Sequence, residues 1–446
     1  MQKICVNYNL ITRKDMLIEF SVANFKSILE RQTLSMVAST DSEHAEKNVI
    51  ELPDEATKYL KSAVVYGPNA AGKSNLLKAT LVLQQLILHS ASSQEGIPMG
   101  GITPFLLDGN IPNEPSEFNI VFIANDGVKY EYHLSATPKA VEKEWMVSYP
   151  NGRPQRWFER ELNKESGKYE WWFGSKFKGD KAEKKVWQEF TRNNSLFFST
   201  AVQLNNEQLK TPFGWIANQL IVITSGIDLN PWLSINLIKN NEGYKILDYL
   251  KAADVGIDGI DIKEEELPPQ TQFIGNNPFA LGAFHFNLGG PEDGVGQKPT
   301  MIKVTTTHKN AKTNEVVHLS IEDESEGTRK LFNLTGGWIR SLDIGATLLV
   351  DELERSLHPK ITRFLVELFH SKKNKSNAQL VFTTHDTNLL DTALLRRDQI
   401  WFVEKSNQKA THLYSLLDYN PRKEEALERG YLKGRYGAVP VVGEIN

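Results

Sequence analysis

Eight residues, Gly67-Pro68-Asn69-Ala70-Ala71-Gly72-Lys73-Ser74, carry the most readable chemistry in this chain. The glycines let the backbone curl so that successive N–H groups converge on one anion, and the helical pattern Asn75-Leu76-Leu77-Lys78-Ala79 behind them adds the partial positive charge of a helix start. The Lys73 ammonium is placed to reach the outer phosphates of a nucleoside triphosphate, while the Ser74 hydroxyl is a hard oxygen ligand for Mg²⁺. Asn69, Gly72, Lys73 and Ser74 are therefore the expected lining of an ATP cradle, with Ser74 on the metal. Alone, the run is also an ordinary Gly-rich turn between a strand, Ala63-Val64-Val65-Tyr66, and a helix.

Further segments, in a telling order, decide between the two. Ala346-Thr347-Leu348-Leu349-Val350 is an apolar run that ends in Asp351-Glu352, as suits a buried parallel strand with ligands at its C-terminal end. Asp351 is expected in the Mg²⁺ shell, and Glu352 to polarise an attacking water. Gln379-Leu380-Val381-Phe382-Thr383-Thr384 is a second such strand, and it delivers His385 toward the γ-phosphate. Glu324-Ser325-Glu326-Gly327-Thr328 opens a helical pattern that continues through Leu331, Leu334, Trp338 and Leu342, and offers a hydroxyl and N–H groups to an anion or simply caps its own helix.

Together these segments resemble the ABC-type ATPase head. The resemblance implies that Ser325 and Gly327 form the signature motif, Asp351-Glu352 the Walker B pair and His385 the switch histidine. Ile18-Glu19-Phe20-Ser21-Val22-Ala23-Asn24-Phe25-Lys26-Ser27 resembles the opening strands of the RecF and SMC-like branch, whose N-F-K-S element lies near the nucleotide, so Asn24, Lys26 and Ser27 join the expected binding residues. Leu357-His358-Pro359, where transporter heads carry a Ser-Ala-Leu-Asp loop, is similar to RecF-like and defence ATPases and makes His358 a candidate for a dimer seam. No glutamine is assigned to a Gln loop, since Gln84 and Gln85 fall inside the first helix.

At whole-chain scale the resemblance is to stand-alone ABC-type ATPases of bacterial abortive-infection and anti-phage loci, the kind represented by the ATPase subunits of the PARIS and Septu systems. It implies self-association as a head-to-head dimer or higher homo-oligomer, in which the signature of one copy completes the phosphate site of another. It also implies control of a separate effector protein, a nuclease in many cases, and a phage-derived trigger. A RecF-like DNA-repair ATPase is the alternative.

Composition agrees with this reading. A chain of 446 residues, 40% of them hydrophobic, has material for a sizeable core. One cysteine, Cys5, excludes an intramolecular disulfide framework. No apolar run approaches the roughly 18 residues of a membrane span, so the chain reads as cytoplasmic with no membrane partner. The formal net charge of −4 is not that of a basic nucleic-acid binder, and the local basic clusters at Lys176–Lys185, Lys372–Lys375 and Arg396-Arg397 read as solvated faces that leave direct DNA contact open.

The elements that must position these residues follow from periodicity. The expected fold class is α/β: a P-loop NTPase of ABC-ATPase head type with a compact α+β insertion lobe and no long coiled coil, since no heptads are sustained. Residues 1–15 read as a disordered arm or an extension, 16–95 as the N-terminal part of the head, 96–322 as an intervening lobe that is partly head, and 323–446 as the C-terminal part. Within the lobe, Glu117–Val147 predicts strands turning at Asn125-Asp126-Gly127, and Arg156–Phe173 a hairpin turning at Ser166-Gly167. Lys181–Leu209 and Glu242–Ala253 predict helix, Gly289–Gly296 a mobile loop, and Ile302–Ile321 a return to strand. Trp157, Trp171, Trp172 and Trp187 read as core residues of a twisted sheet. After His385 the pattern predicts a helix around Leu389-Leu390 and two strands, which is too little for the nuclease domain of overcoming-lysogenisation proteins. Arg435 reads as half of a structural ion pair.

Overall fold

The computed structural model describes residues 15–53, 56–108, 114–224, 231–253, 255–266, 285–287, 300–422 and 425–440. Residues 1–14 of the expected arm and the loop Gly289–Gly296 lie outside them. The chain divides into two compact units, the first Met1–Gly226, Ser341–Glu354 and Thr362–Asn446, the second Ile227–Arg340 and Arg355–Ile361.

The first unit is built on two large sheets. One has six strands in the order Leu220–Ile223, Thr347–Val350, Gln379–Thr383, Ser62–Tyr66, Ile400–Lys405, Thr411–Ser415. The first five run parallel and the last returns antiparallel. Its central strands Ser62–Tyr66, Thr347–Val350 and Gln379–Thr383 are buried at every position, which is why they read as unbroken apolar runs rather than alternating ones. The order sets the strands that end in Tyr66, Val350 and Thr383 side by side.

The other sheet is an antiparallel seven-stranded one. Strands Ser116–Ile123, Lys129–Ala136, Val141–Tyr149, Gln155–Asn163 and Lys168–Phe173 meander outward from Met16–Ala23, which pairs on its far side with Gln32–Ser35. The Asn125-Asp126-Gly127 turn is closed by the Gly127 N–H to the Ala124 carbonyl at 2.8 Å and by Asp126 accepting the Val128 N–H at 3.0 Å. Helix Lys73–His89 buries Leu76, Leu77, Leu83 and Ile87 in one core with Phe118, Phe122 and Tyr132 of this sheet and Val65, Leu349 and Val381 of the parallel sheet.

Gln379 joins the two sheets. Its amide oxygen accepts the Leu17 N–H at 2.7 Å and the Thr347 hydroxyl at 3.0 Å, and its nitrogen donates to the carbonyls of Leu17 at 3.1 Å and Leu60 at 2.9 Å. Every polar position of this fully buried amide is thereby satisfied.

Several sequence expectations change. Of the intervening region, expected to be partly head, strands 116–173 extend the sheet begun by Met16–Ala23, and the first unit runs on to Gly226. Lys181–Leu209 is broken into helices Lys181–Phe190 and Phe197–Gln203 and the start of Glu207–Asn218, because Ser195 turns the chain by accepting the Arg192 N–H and Asn206 caps a fresh helix through the Leu209 N–H. The helix expected at Leu389-Leu390 is a single 3₁₀ turn, Thr387–Leu389. Trp157 and Trp187 are buried and Trp171 packs on the core, while Trp172 points outward on the alternate face of the edge strand.

The second unit carries strands Gly259–Glu266, Thr300–Lys309, His285–Asn287 and Val316–Ser320 and helices Trp232–Lys239 and Gly243–Ala252. Helix Glu326–Ile344 has most of its length here, and Ser234 ties to it by donating to the Phe332 carbonyl and accepting the Gly336 N–H. At 19 residues it is the longest helix among the described residues, which contain no long coiled coil.

His370, at the end of helix Pro359–His370, is buried against the Ser62 hydroxyl, its Nε2 2.8 Å away. Burial, with Lys61 nearby, pushes its imidazole down to about 3. An unfolded histidine takes up a proton near pH 6.5 that the folded one refuses, so stability falls as pH drops from about 6.5 toward 3. His370→Gln is expected to remove on the order of 2 kcal/mol of the stability lost between about pH 7 and pH 5. Urea denaturation of both proteins at the two pH values checks this, and equal losses would contradict it.

Candidate nucleotide site

The loop after Ser62–Tyr66 is shaped by its surroundings. Gly72 has φ 114°, and a Cβ there would lie 2.1 Å from the Thr411 hydroxyl, so glycine is required by conformation and by space. Thr411 Oγ1 donates to the Ala71 carbonyl at 2.8 Å and lies 2.7 Å from Ser27 Oγ, which in turn accepts from the Asn75 amide at 2.7 Å. The loop is thus braced from behind by residues far away in sequence. Asn69 stands exposed at its crest.

Lys73 lies inside the loop, donating to the carbonyls of Gly67 at 2.8 Å and Pro68 at 3.1 Å. Burial pushes its ammonium down to about 8, against the opposing pull of Glu354, Asp351 and Glu352. Ser74 Oγ donates to Asp351 Oδ1 at 3.0 Å, and the same oxygen accepts the Thr383 hydroxyl at 2.7 Å. Thr383 Oγ1 also accepts the Glu352 N–H at 2.8 Å, and the Thr383 carbonyl the Leu353 N–H at 3.1 Å. Glu352 holds a left-handed backbone, φ 51°, a strained state for a non-glycine residue that the neighbouring hydrogen bonds maintain.

The hydroxyl of Ser74 and the carboxylate of Asp351 are hard oxygens side by side, the donor type that suits Mg²⁺ when phosphate oxygens and water complete its shell. Bound there, the ion would supply charge neutralisation to a triphosphate. Among the described residues no group of three or more His, Cys, Asp or Glu could hold a metal by itself.

His385 follows the neighbouring strand. Its backbone N–H is held by Glu354 Oε1 at 2.7 Å. Burial and Lys73 push its imidazole down, opposed by Glu354, Glu352 and Asp351, so all five groups share one electrostatic field. Tyr66 OH donates to the Asp386 carbonyl at 3.1 Å, and the Thr387 hydroxyl donates to Glu428 at 2.8 Å, which fixes the loop beyond the histidine. Glu354 is the member of this group that sequence reasoning passed over. Its only signal was a third acid in Asp351-Glu352-Leu353-Glu354.

The structure brings together Gly72, Lys73, Ser74, Asp351, Glu352 and His385, but gives Asn24 other work. The Asn24 amide donates to the carbonyls of Glu114 at 2.8 Å and Pro115 at 3.2 Å and accepts the Phe105 N–H at 2.8 Å, which makes it a turn-holding residue. Lys26 has its N–H on the Thr103 carbonyl and its ammonium 5.7 Å from the Phe25 ring centre. Of the N-F-K-S element, it is Ser27 that serves the phosphate loop, from behind.

Ser325 and Gly327 lie in the second unit. Ser325 Oγ accepts the Thr328 N–H at 3.1 Å, the capping bond of its own helix. Gly327 is set by close approach, since a Cβ there would be 2.7 Å from the Ser356 carbonyl. His358 is exposed, its Nδ1 accepting the Lys360 N–H at 3.2 Å. Gln84 is consumed by the carbonyls of Ile216 and Leu220, at 2.8 Å and 2.7 Å. Arg435 pairs with Glu425, the structural role expected for it.

A glycine-rich loop between a parallel strand and a helix, with a histidine delivered by the adjacent strand and acids by the strand beyond it, defines a P-loop nucleoside triphosphatase of the ABC-ATPase head type. The chain belongs to the family described as "AAA domain, putative AbiEii toxin, Type IV TA system", whose model matches residues 62–391. Among curated proteins none matches the chain. Among solved structures it is similar to an Smc head domain with a coiled coil and joint from Pyrococcus yayanosii, TM-score 0.40 and 11% identity over 95% of this chain and 100% of that one. The SMC head domain from Thermotoga maritima gives 0.37 and 12% over 90% and 98%. The recombination mediator RecF bound to ATP gives 0.37 and 14% over 91% and 99%. Scores of this size add nothing to the class, which rests on the site and the family match.

Thr383→Val keeps the shape of the strand end and removes both the proton given to Asp351 and the acceptor for the Glu352 N–H. Turnover of Mg-ATP is expected to fall by about tenfold or more with KM little changed. Steady-state kinetics decide it; an unaltered kcat would deny Thr383 this part.

Proposed function

We propose that this chain is the ATP-binding and ATP-hydrolysing subunit of a bacterial anti-phage, abortive-infection system, acting through Mg-ATP-dependent self-association. The observation that carries the reading is the hydrogen-bonded run from Ser74 through Asp351 to Thr383 and the Glu352 backbone, with His385 on the next loop. In it Lys73 and the loop N–H groups hold the triphosphate, with Ser74 and Asp351 placed for Mg²⁺. Glu352 takes the proton of the attacking water and His385 faces the γ-phosphate.

Self-association follows from the pairing of one phosphate loop with one signature helix per chain. Ser325 and Gly327 of one copy would complete the nucleotide site of another in a head-to-head dimer or a higher homo-oligomer, so closure depends on ATP and hydrolysis releases it. The family description, with its toxin–antitoxin association, favours a defence role. Resemblance to the ATPase subunits of PARIS and Septu favours control of a separate effector, a nuclease by kinship, in answer to a phage product. No helix among the described residues is long and apolar enough to cross a membrane, which suits a cytoplasmic setting.

Lys73→Ala is expected to weaken Mg-ATP binding by about a hundredfold, whereas Glu352→Gln keeps binding and accumulates the ATP-closed oligomer. Equilibrium binding and light scattering measure these, and normal turnover by Glu352→Gln would remove it as the base. Mixing Lys73→Ala with Ser325→Ala protein should restore part of the ATPase rate lost in each, because one composite site is then intact. No recovery would refute the shared site. ATPase rates that respond strongly to duplex DNA, with a steep salt slope, would turn the reading toward DNA repair.

A further inference from the structure

The Glu354 carboxylate lies between the two loops that carry the proposed chemistry. One oxygen, Oε1, accepts the His385 N–H at 2.7 Å; the other, Oε2, is buried and has no hydrogen-bond partner among the described residues. Leu353 is fully buried and its N–H is fixed to the Thr383 carbonyl, so the backbone that carries Glu354 is anchored one residue earlier. Thr383 therefore holds the loop after Val350 through the N–H groups of Glu352 and Leu353, and Glu354 returns the hold on the loop after Thr383. The bond has no equivalent in a simple strand ladder, because it joins a side chain to the backbone of the residue whose imidazole is expected at the phosphate.

We infer that Glu354 is a positioning residue: it fastens the backbone of His385 to the loop of Glu352, so that the base and the switch histidine keep one spacing. The inference rests on the reading of this site as one that hydrolyses ATP. Spacing is what such a tether controls, since a displacement of about 1 Å in a reacting group can cost about a hundredfold in rate. In this role Glu354 acts through the backbone of His385.

Two readouts test it on the full chain. Hydrogen exchange, measured without nucleotide on peptides that include His385, is expected to speed up by about tenfold or more at that amide in Glu354→Ala and Glu354→Met, and to stay near the wild-type rate in Glu354→Gln, whose amide oxygen accepts the same N–H. Methionine fills the volume without an acceptor, so a packing defect in the alanine variant cannot decide the outcome. In steady-state kinetics the same two variants should lose about tenfold or more in kcat with the equilibrium Kd for Mg-ATP within about threefold of wild type, and Glu354→Gln should regain most of the rate. Unchanged exchange at His385 in the acceptor-free variants overturns the tether. So does a glutamine variant as slow as alanine, or a loss of Mg-ATP binding on the scale of Lys73→Ala, the pattern of a phosphate contact. A wild-type chain that turned over no ATP would refute the hydrolase reading instead, and the exchange comparison would still decide the tether.

Discussion

One carboxylate oxygen organises the site. Asp351 Oδ1 receives two hydroxyl protons, from Ser74 at the start of the phosphate-loop helix and from Thr383 at the end of the neighbouring strand. Asp351 is nearly inaccessible, and a buried polar group is costly unless hydrogen bonds satisfy it. The parallel strand order brings those donors near, because it sets the strands that end in Tyr66, Val350 and Thr383 side by side. Sheet topology and acid placement are therefore one constraint: a shift in register between the strands of Val350 and Thr383 would part the Thr383 hydroxyl from Asp351.

The phosphate loop depends on a second support that comes from outside its own strand and helix. Ser27 and Thr411, separated by most of the chain, meet behind Ala71 and Gly72 and leave no room for a side chain at Gly72. The loop's curvature is thus imposed by the first strands of one sheet and the last strand of the other. A loop held this way is preformed for an anion, and little ordering remains to oppose binding.

The sequence made the chemistry legible where one short run had to satisfy two demands at once. Gly72-Lys73-Ser74 and Asp351-Glu352 combine a special backbone with a specific donor set, and strands such as Thr347–Val350 are apolar at every position because both faces are covered. The structural part played by Asn24 was not legible, because its amide is taken by backbone groups about 80 to 90 residues away, which local pattern does not reveal. Glu354 was missed for the converse reason: its significance lies in a bond to His385, 31 positions on. The division of the intervening region was hidden because strand alternation tells which face is buried but not which sheet a strand joins.

Gln379 links the Leu17 backbone to the parallel sheet across 362 positions of chain. Synthesis proceeds from the amino terminus, so the strand Met16–Ala23 is made before Gln379, and its buried link cannot close until that residue has left the ribosome. The seven-stranded meander can assemble beforehand from near neighbours, yet its tie to the parallel sheet must wait. Until Gln379 emerges, the junction between the two sheets stays open, and shielding by chaperones would matter more than for a fold whose sheets are joined by residues close in sequence.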